Sequence, residues 1–321
     1  MKQPRHALPA EASWGALYAG LQDIREAWRF ARYLWIRGLL ALFRRLPVGF
    51  GVILGRGLGK VGFWVLTRYR NRTIENLGAS FPDADARGVR RLASGCMMEL
   101  GASFAYAARL TRMRREAIAD GPVVRGRRNL GAALEGESGC VVVSGHLGCW
   151  ELLPAYLASI GLDVSLVAER LAGRLEDDLL RAERRKLGVG EVGGGVARLK
   201  KAVRELNSGS VVVCPYDQDA GLTGYFVPFF GRRAFVPSLP LRLALLSGSP
   251  ILPAYASKEG GRHVLTFEPP IELRSEEDLP ALARECVSRL EGWIRERPEQ
   301  WPWMHRRWRR VRESGGPDGR E

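Results

Sequence analysis

Cysteine is scarce in this chain, and the few that occur are scattered. Cys96, Cys140, Cys149, Cys214 and Cys286 are odd in number, widely spaced and free of any Cys-x-x-Cys pair. That pattern argues against a disulfide framework and against a thiolate zinc site. Several sit in apolar runs and are expected to be small core residues. Long uncharged apolar runs are missing too. Val48 to Leu66 is the best candidate, but Arg56 and Lys60 cut it and glycines loosen it. It falls short of the ~18 uncharged residues of a spanning helix. Residues 1–24 lack an apolar core of the secretory kind, so the chain is expected to face the cytosol. Acidic residues are few as well: 35 Asp and Glu stand against 49 Lys and Arg, for a formal charge of +14. Such an excess favours anionic partners, namely nucleic acid, anionic lipid or a phosphorylated substrate. Nine Trp among many Arg tilt the choice toward a membrane surface.

What is present centres on residues 141–151. Val141-Val142-Val143 is a β-branched run that reads as a buried strand. Ser144 and Gly145 break it, His146 follows, Gly148 gives the backbone room to turn, and Leu152 to Leu157 begins a helix. His146 is thereby expected at the C-terminal edge of a sheet, where α/β domains carry their sites. A neutral imidazole takes a proton from an alcohol when a carboxylate fixes its tautomer. Glu151, five positions on, is the carboxylate in reach if a turn intervenes, since in one helix the two would diverge by roughly 140°. The backbone N–H groups around Gly148 are candidate oxyanion donors. A surface pair or a satisfied core histidine is the plainer alternative for His146, and a nucleophilic Cys149 a remote one.

The 321 residues, 46% of them hydrophobic, allow one large domain or two modest ones. Residues 1–24 read as a tail. Residues 25–120 read as a helical, membrane-docking layer, with Trp28, Trp35, Leu39 and Leu42 at helical spacing among arginines. Phe81-Pro82 ends one helix and Asp83 or Asp85 caps the next. From 121 to 311 strands and helices alternate. The expected strands are 140–144, 164–168, 211–215, 251–256 and 264–267, and the expected helices 130–134, 152–159, 175–187 and 196–206. The fold class is therefore α/β, a mostly parallel or mixed sheet flanked by helices. Gly193-Gly194-Gly195 lacks the spacing of a dinucleotide fingerprint. Residues 312–321 read as a disordered tail.

Three further clusters carry candidate chemistry. Glu169 and Arg170 end a strand near the His146 edge, and Arg184 and Arg185 lie one helix later. Converging on the site, these groups would bind a polar headgroup or polarise a thioester carbonyl. Asp217-Gln218-Asp219 follows the strand 211–215. The other hard-oxygen ligands of a Mg²⁺ site are not evident, and no metal is expected. Phe226, Phe229 and Phe230 supply an apolar wall suited to an acyl chain, or simply core packing.

Gly-His-x-Gly-x-Trp-Glu at 145–151 resembles the lipid A biosynthesis late acyltransferases within the glycerolipid acyltransferases. That branch includes lauroyl and myristoyl transferases and the related phosphatidylinositol mannoside acyltransferases. Asp217-Gln218-Asp219, Gly224 with Val227-Pro228-Phe229-Phe230-Gly231, and Pro298-Glu299-Gln300-Trp301 with Trp303 and His305-Arg306-Arg307 are similar to the same family. The resemblance spans roughly residues 60–310. It implies His146 as base with Glu151 as its acidic partner. It also implies Glu169 and Arg184 in the active site, and residues 217–230 shaping the acceptor and acyl sites. The placing of Arg170 beside them comes from its position alone. The resemblance assigns Trp301, Trp303 and Trp308 to the bilayer, and leaves His305 structural. Cys149 departs from the Asn many relatives carry.

The expected protein is an O-acyltransferase on the cytoplasmic face of a bacterial inner membrane, with no cofactor. Its co-substrate would be a thioester of acyl carrier protein or coenzyme A. Its acceptor would be an anionic glycolipid of the lipid A precursor kind, with Arg184 and Gly148 at the oxyanion. A lysophospholipid or mannosylated phosphoinositide acceptor is the alternative within the class. A non-enzymatic basic protein binding membrane or nucleic acid is the alternative outside it; nucleic acid is not the expected partner.

Overall fold

The computed structural model describes residues 11–168, 173–192, 196–219, 223–273 and 275–310. Four long helices come first: α1 (Glu11–Arg45), α2 (Val48–Val65), α3 (Thr67–Ser80) and α4 (Ala86–Leu110). α1 begins inside the stretch expected to be a tail. Asp85 caps α4 by accepting from the Gly88 N–H at 2.6 Å. α2 has 18 residues, and despite Arg56 and Lys60 it is long and apolar enough to cross a membrane. No other helix among the described residues meets that measure. Its glycines let it press on α4. A Cβ on Gly55 would lie 2.4 Å from the Gly101 carbonyl oxygen, and one on Gly59 would lie 2.1 Å from that of Met97. Arg56 is answered by Glu99 of α4.

The α/β part follows. It runs through α5 (Arg115–Asp120), β1 (Val123–Arg125), α6 (Arg127–Ala133), β2 (Val141–Ser144), α7 (Leu152–Ser159) and β3 (Val164–Val167). It continues with α8 (Arg174–Lys186), β4 (Val189–Val192), α9 (Val196–Asn207), β5 (Val211–Pro215), β6 (Gly224–Phe229) and β7 (Arg232–Pro237). α10 (Leu239–Ser247), β8 (Ile251–Glu259), β9 (Arg262–Phe267) and α11 (Leu279–Glu296) complete it. Seven strands form one sheet in the order β1-β9-β8-β2-β5-β3-β4. All neighbours are parallel except β8 and β9, which are antiparallel.

The valine runs explain the layering. Successive strand side chains point to opposite faces, and here both faces are covered. Val141, Val143, Val212 and Cys214 enter one core with side chains of α9, α10 and α11. Val142, Val211 and Val213 enter the other, with side chains of α5, α6 and α7. Each fully buried valine contributes roughly 1.5–3 kcal/mol, so a mixed-polarity strand could not hold this central position.

Two segments differ from the sequence reading. Val189–Val192, for which no strand was expected, is the edge strand β4: it pairs in parallel with β3, and Val189 and Val192 enter the two cores on opposite faces of the sheet. The segment bearing Phe226, Phe229 and Phe230, for which no strands were expected, is a β-hairpin of β6 and β7. Its two-residue turn, Phe230-Gly231, has φ of 52° and 67°, the positive pair that matches the twist of the flanking strands.

Candidate active site

β2 and β5 are neighbours, and the site grows from their C-terminal ends. The Tyr216 N–H donates to the Ser144 carbonyl at 2.7 Å, carrying the pairing one step past the strands. His146 and Asp217 then emerge side by side, although 71 residues separate them. Gly145 makes the approach possible: a Cβ there would sit 2.6 Å from Leu290 Cδ1 and 3.4 Å from Asp217 Oδ2.

Asp217 is buried and fully engaged. Its Oδ1 lies 2.7 Å from His146 Nδ1. Its Oδ2 accepts from the His146 backbone N–H at 2.7 Å and from the Trp301 indole at 2.8 Å. Burial opposes its charge most strongly, but the His146 charge and these hydrogen bonds outweigh it and hold the carboxyl well below the usual range. Burial likewise pulls His146 down as its largest single influence. The charge and hydrogen bond of Asp217, helped by Glu151, prevail and leave the imidazole raised above its ordinary value. An ionised Asp217 only accepts, so the neutral ring carries its proton on Nδ1. Nε2 is left as the basic edge, with Gln218 Nε2 3.3 Å away.

Glu151 is placed otherwise than the spacing suggested. Both its oxygens are taken by Arg184, through Nη2 at 2.6 Å and Nε at 3.0 Å. Nη1 of Arg184 reaches Glu191 at 3.0 Å. Glu151 therefore touches His146 by charge and not by hydrogen bond. Arg184, expected at the oxyanion, has its donors committed to carboxylates and clamps the start of α7 to α8 and β4. Gly148 has φ of 55°, and its N–H, also expected at the oxyanion, donates to the Gln300 carbonyl at 3.0 Å.

The remaining candidates divide. Gln218 borders His146 Nε2, whereas Asp219 is ion-paired with Arg310 at 2.8 Å. Phe229 and Phe230 are buried in an aromatic cluster with Trp301 and Trp303. Phe226 is 43% exposed against Phe235. Glu169 and Arg170 lie outside the described residues. All five cysteines are buried and free. Burial, then the charge of Glu151, pushes the Cys149 thiol far up, which leaves it inert as a nucleophile. Among the described residues no three His, Cys, Asp or Glu side chains gather to hold a metal ion.

Two residues that sequence reasoning passed over hold the site together. Gln300 pairs both side-chain atoms with the Lys258 backbone at 2.8 Å while its carbonyl receives Gly148. Trp301 donates to Asp217. Both belong to the Pro-Glu-Gln-Trp run, whose tryptophans were expected at a bilayer. Trp301, Trp303 and Trp308 are instead core residues, at most 5% exposed. The indole N–H groups of Trp301 and Trp303 find acceptors in the Asp217 carboxylate and the Pro298 carbonyl, which lets rings of this size go inside. His305 stands beside the dyad, its ring 6.0 Å from that of His146. Burial, then the His146 charge, lowers its pKa to about 4, so it is neutral at physiological pH.

A histidine with a free basic edge, paired with a buried aspartate at the C-terminal end of a parallel sheet, is an arrangement chemically able to accept a proton from a hydroxyl. Residues 23–310 match the family model of the bacterial lipid A biosynthesis acyltransferases, and the chain belongs to that family. Among curated proteins it is similar to phosphatidylinositol mannoside acyltransferases of Mycobacterium tuberculosis. It is 28% identical to the one from strain H37Rv and 26% to the one from strain CDC 1551, each over 189 residues. A third, from Mycolicibacterium smegmatis, is 24% identical over 183 residues. The M. tuberculosis alignments cover 58% of this chain and 60% of the length of each relative. The crystal structure of a 1-acyl-sn-glycerophosphate acyltransferase from Thermotoga maritima aligns with 17% identity and a TM-score of 0.37, over 78% of this chain and 99% of that one.

Proposed function

We propose that this protein transfers a fatty acyl group from a thioester to a hydroxyl of an anionic glycolipid. The observation that carries the reading is the His146–Asp217 pair, which leaves Nε2 of His146 as the basic edge in a member of an acyltransferase family. The acceptor hydroxyl docks at Nε2 and loses its proton as its oxygen attacks the thioester carbonyl carbon. The resulting imidazolium is stabilised by Asp217. The tetrahedral intermediate collapses, the C–S bond breaks, and the departing thiolate takes the proton from Nε2. No covalent acyl-enzyme is needed. Gln218 carries the amide nearest the reacting atoms, and the Glu151–Arg184–Glu191 cluster holds the turn that bears His146.

The thioester would arrive on acyl carrier protein or coenzyme A. For the acceptor, the family description favours a lipid A precursor, and the mycobacterial relatives favour a mannosylated phosphoinositide. Both are anionic glycolipids. The setting is a membrane surface. Trp28, Phe30, Trp35, Phe50, Ile53 and Trp64 all protrude from α1 and α2, each more than half exposed. Arginines such as Arg29 and Arg37 are interspersed among them, the composition of an interfacial face. The cytoplasmic side of an inner membrane, where thioester donors are made, is the location this reading requires.

The test is label transfer from acyl carrier protein and coenzyme A thioesters to a panel of glycolipids and lysophospholipids, with wild type and His146→Ala side by side. Transfer confined to wild type supports the mechanism and names the acceptor. Equal transfer by both proteins refutes it.

A further inference from the structure

Beside the dyad lies a cavity of about 260 Å³. Arg72 and Asn76 of α3 form one wall, and the run His305 to Arg309 forms the other. Four arginines line it, and no carboxylate does. The walls are built rather than loosely apposed. Asn76 Nδ2 donates to the carbonyls of Trp303 at 2.7 Å and His305 at 3.2 Å, and Arg72 donates to that of Met304 at 3.2 Å. Trp308 supplies a flat side, with the Arg232 guanidinium 3.4 Å from its ring centroid.

The electrostatics point the same way. Burial, then the charges of Arg306 and Arg68, lower the Arg72 pKa against the opposing pull of Tyr69 and Glu75. These cations repel one another, and an anion between them would relieve the strain. Arg307, 1% exposed, donates Nη1 to the Phe235 carbonyl and leaves Nε and Nη2 without hydrogen-bond partners. Its charge is felt at Asp217 and Asp219, which ties the cavity to the dyad. Guanidinium forks match the oxygens of a phosphate in geometry as well as charge. His305 is shared: it lines the cavity, and its ring lies 6.0 Å from that of His146, tilted by 44°.

We infer that this cavity is a phosphate subsite, taking a phosphomonoester or phosphodiester carried by one of the two substrates. Assigning it to a substrate rests on the acyl-transfer reading; the anion site itself rests on the arginines. A phosphate held one side chain from the base would fix which hydroxyl, or which thioester carbonyl, reaches Nε2. The two possible sources share this chemistry: the phosphopantetheine arm of the donor and the phosphorylated headgroup of the acceptor.

Calorimetric titration of the full-length protein separates them. The probes are two pairs that differ only by a phosphate: pantetheine with 4′-phosphopantetheine, and glucosamine with glucosamine 1-phosphate. The phosphorylated member of at least one pair should bind about tenfold more tightly than its partner. In Arg306→Gln and in Arg72→Gln that preference should shrink to within about twofold. Arg306 is exposed, so its variant keeps the fold even if the Arg72 variant does not. Preference within the pantetheine pair assigns the phosphate to the donor, and within the glucosamine pair to the acceptor. Absence of preference in both pairs, or a preference that survives both substitutions, overturns the inference. Because no turnover is involved, phosphate binding by a wild-type protein that transfers no acyl group would refute the proposed function alone, and acyl transfer without phosphate preference would refute the subsite alone.

Discussion

Asp217→Asn tests the division of labour between the two carboxylates near His146. The substitution keeps shape and removes one charge. Asp217 Oδ2 receives two N–H groups, from His146 N and Trp301 Nε1, so the Asn oxygen must stay there. The Asn NH₂ then faces His146 Nδ1. Two donors cannot share that position, so the ring adopts the tautomer with its proton on Nε2, the atom that must act as base. Losing a hydrogen bond to a charged group costs about 1.5–3 kcal/mol, and returning the proton to Nδ1, so that Nε2 can act as base, sets donor against donor at another ~1–3 kcal/mol. Together these come to roughly 2.5–6 kcal/mol, or about 10²–10⁴-fold in rate. The pH profile shifts as well. Only neutral His146 accepts a proton, so wild-type activity should rise as pH passes the raised His146 pKa, above 6.5. Asn removes the charge that raises it and leaves burial, which lowers it, so the rising limb should move to lower pH. The assay is single-turnover acyl transfer across pH 5–9 (about two units on either side of neutrality), with circular dichroism to confirm folding. A rate within about tenfold of wild type, with an unmoved limb, would refute the role given to Asp217.

Other outcomes follow from the same geometry. Glu151→Gln should break the bidentate Arg184 contact between side chains that are 14% and 10% exposed, with a loss of about 3–5 kcal/mol visible in denaturant unfolding. Its residual activity should follow its folded fraction, and its pH limb should move to lower pH by less than in Asp217→Asn, because the Glu151 charge is the smaller of the two that raise the His146 pKa. Gly101→Val should pry α2 from α4, because a Cβ at 101 would fall 2.1 Å from the Gly55 carbonyl oxygen. A cost of ~1–3 kcal/mol should appear as faster proteolysis of the α1–α2 layer with the sheet intact. Flotation with anionic vesicles should weaken as salt rises if the basic helices dock peripherally, each surface Lys or Arg contributing about 1 kcal/mol at low ionic strength. Unchanged flotation at high salt would instead place α2 within the bilayer.

Much of this protein is determined locally and was legible in the residues themselves. Runs of valine between glycines specify buried strands, since no other element places β-branched side chains on both faces of a layer. Asp85 before an amphipathic stretch specifies a helix start, and Gly148 a backbone with positive φ. The acyltransferase family is legible for the same reason, because its motifs are contiguous. Strand order is not local. Nothing in residues 141–151 or 211–219 reveals that β2 and β5 are neighbours, and that adjacency is what delivers Asp217 to His146. Glu151 looked the better partner because it is near in sequence, yet the turn at 147–150 sends it toward Arg184, which no spacing announces. The tryptophans at 301, 303 and 308 are ambiguous by composition, since an indole beside arginines suits an interface or a core equally. Burial decides between them, and burial is a property of the whole assembled chain: it turned an apparent membrane anchor into the clamp that holds Asp217 in place.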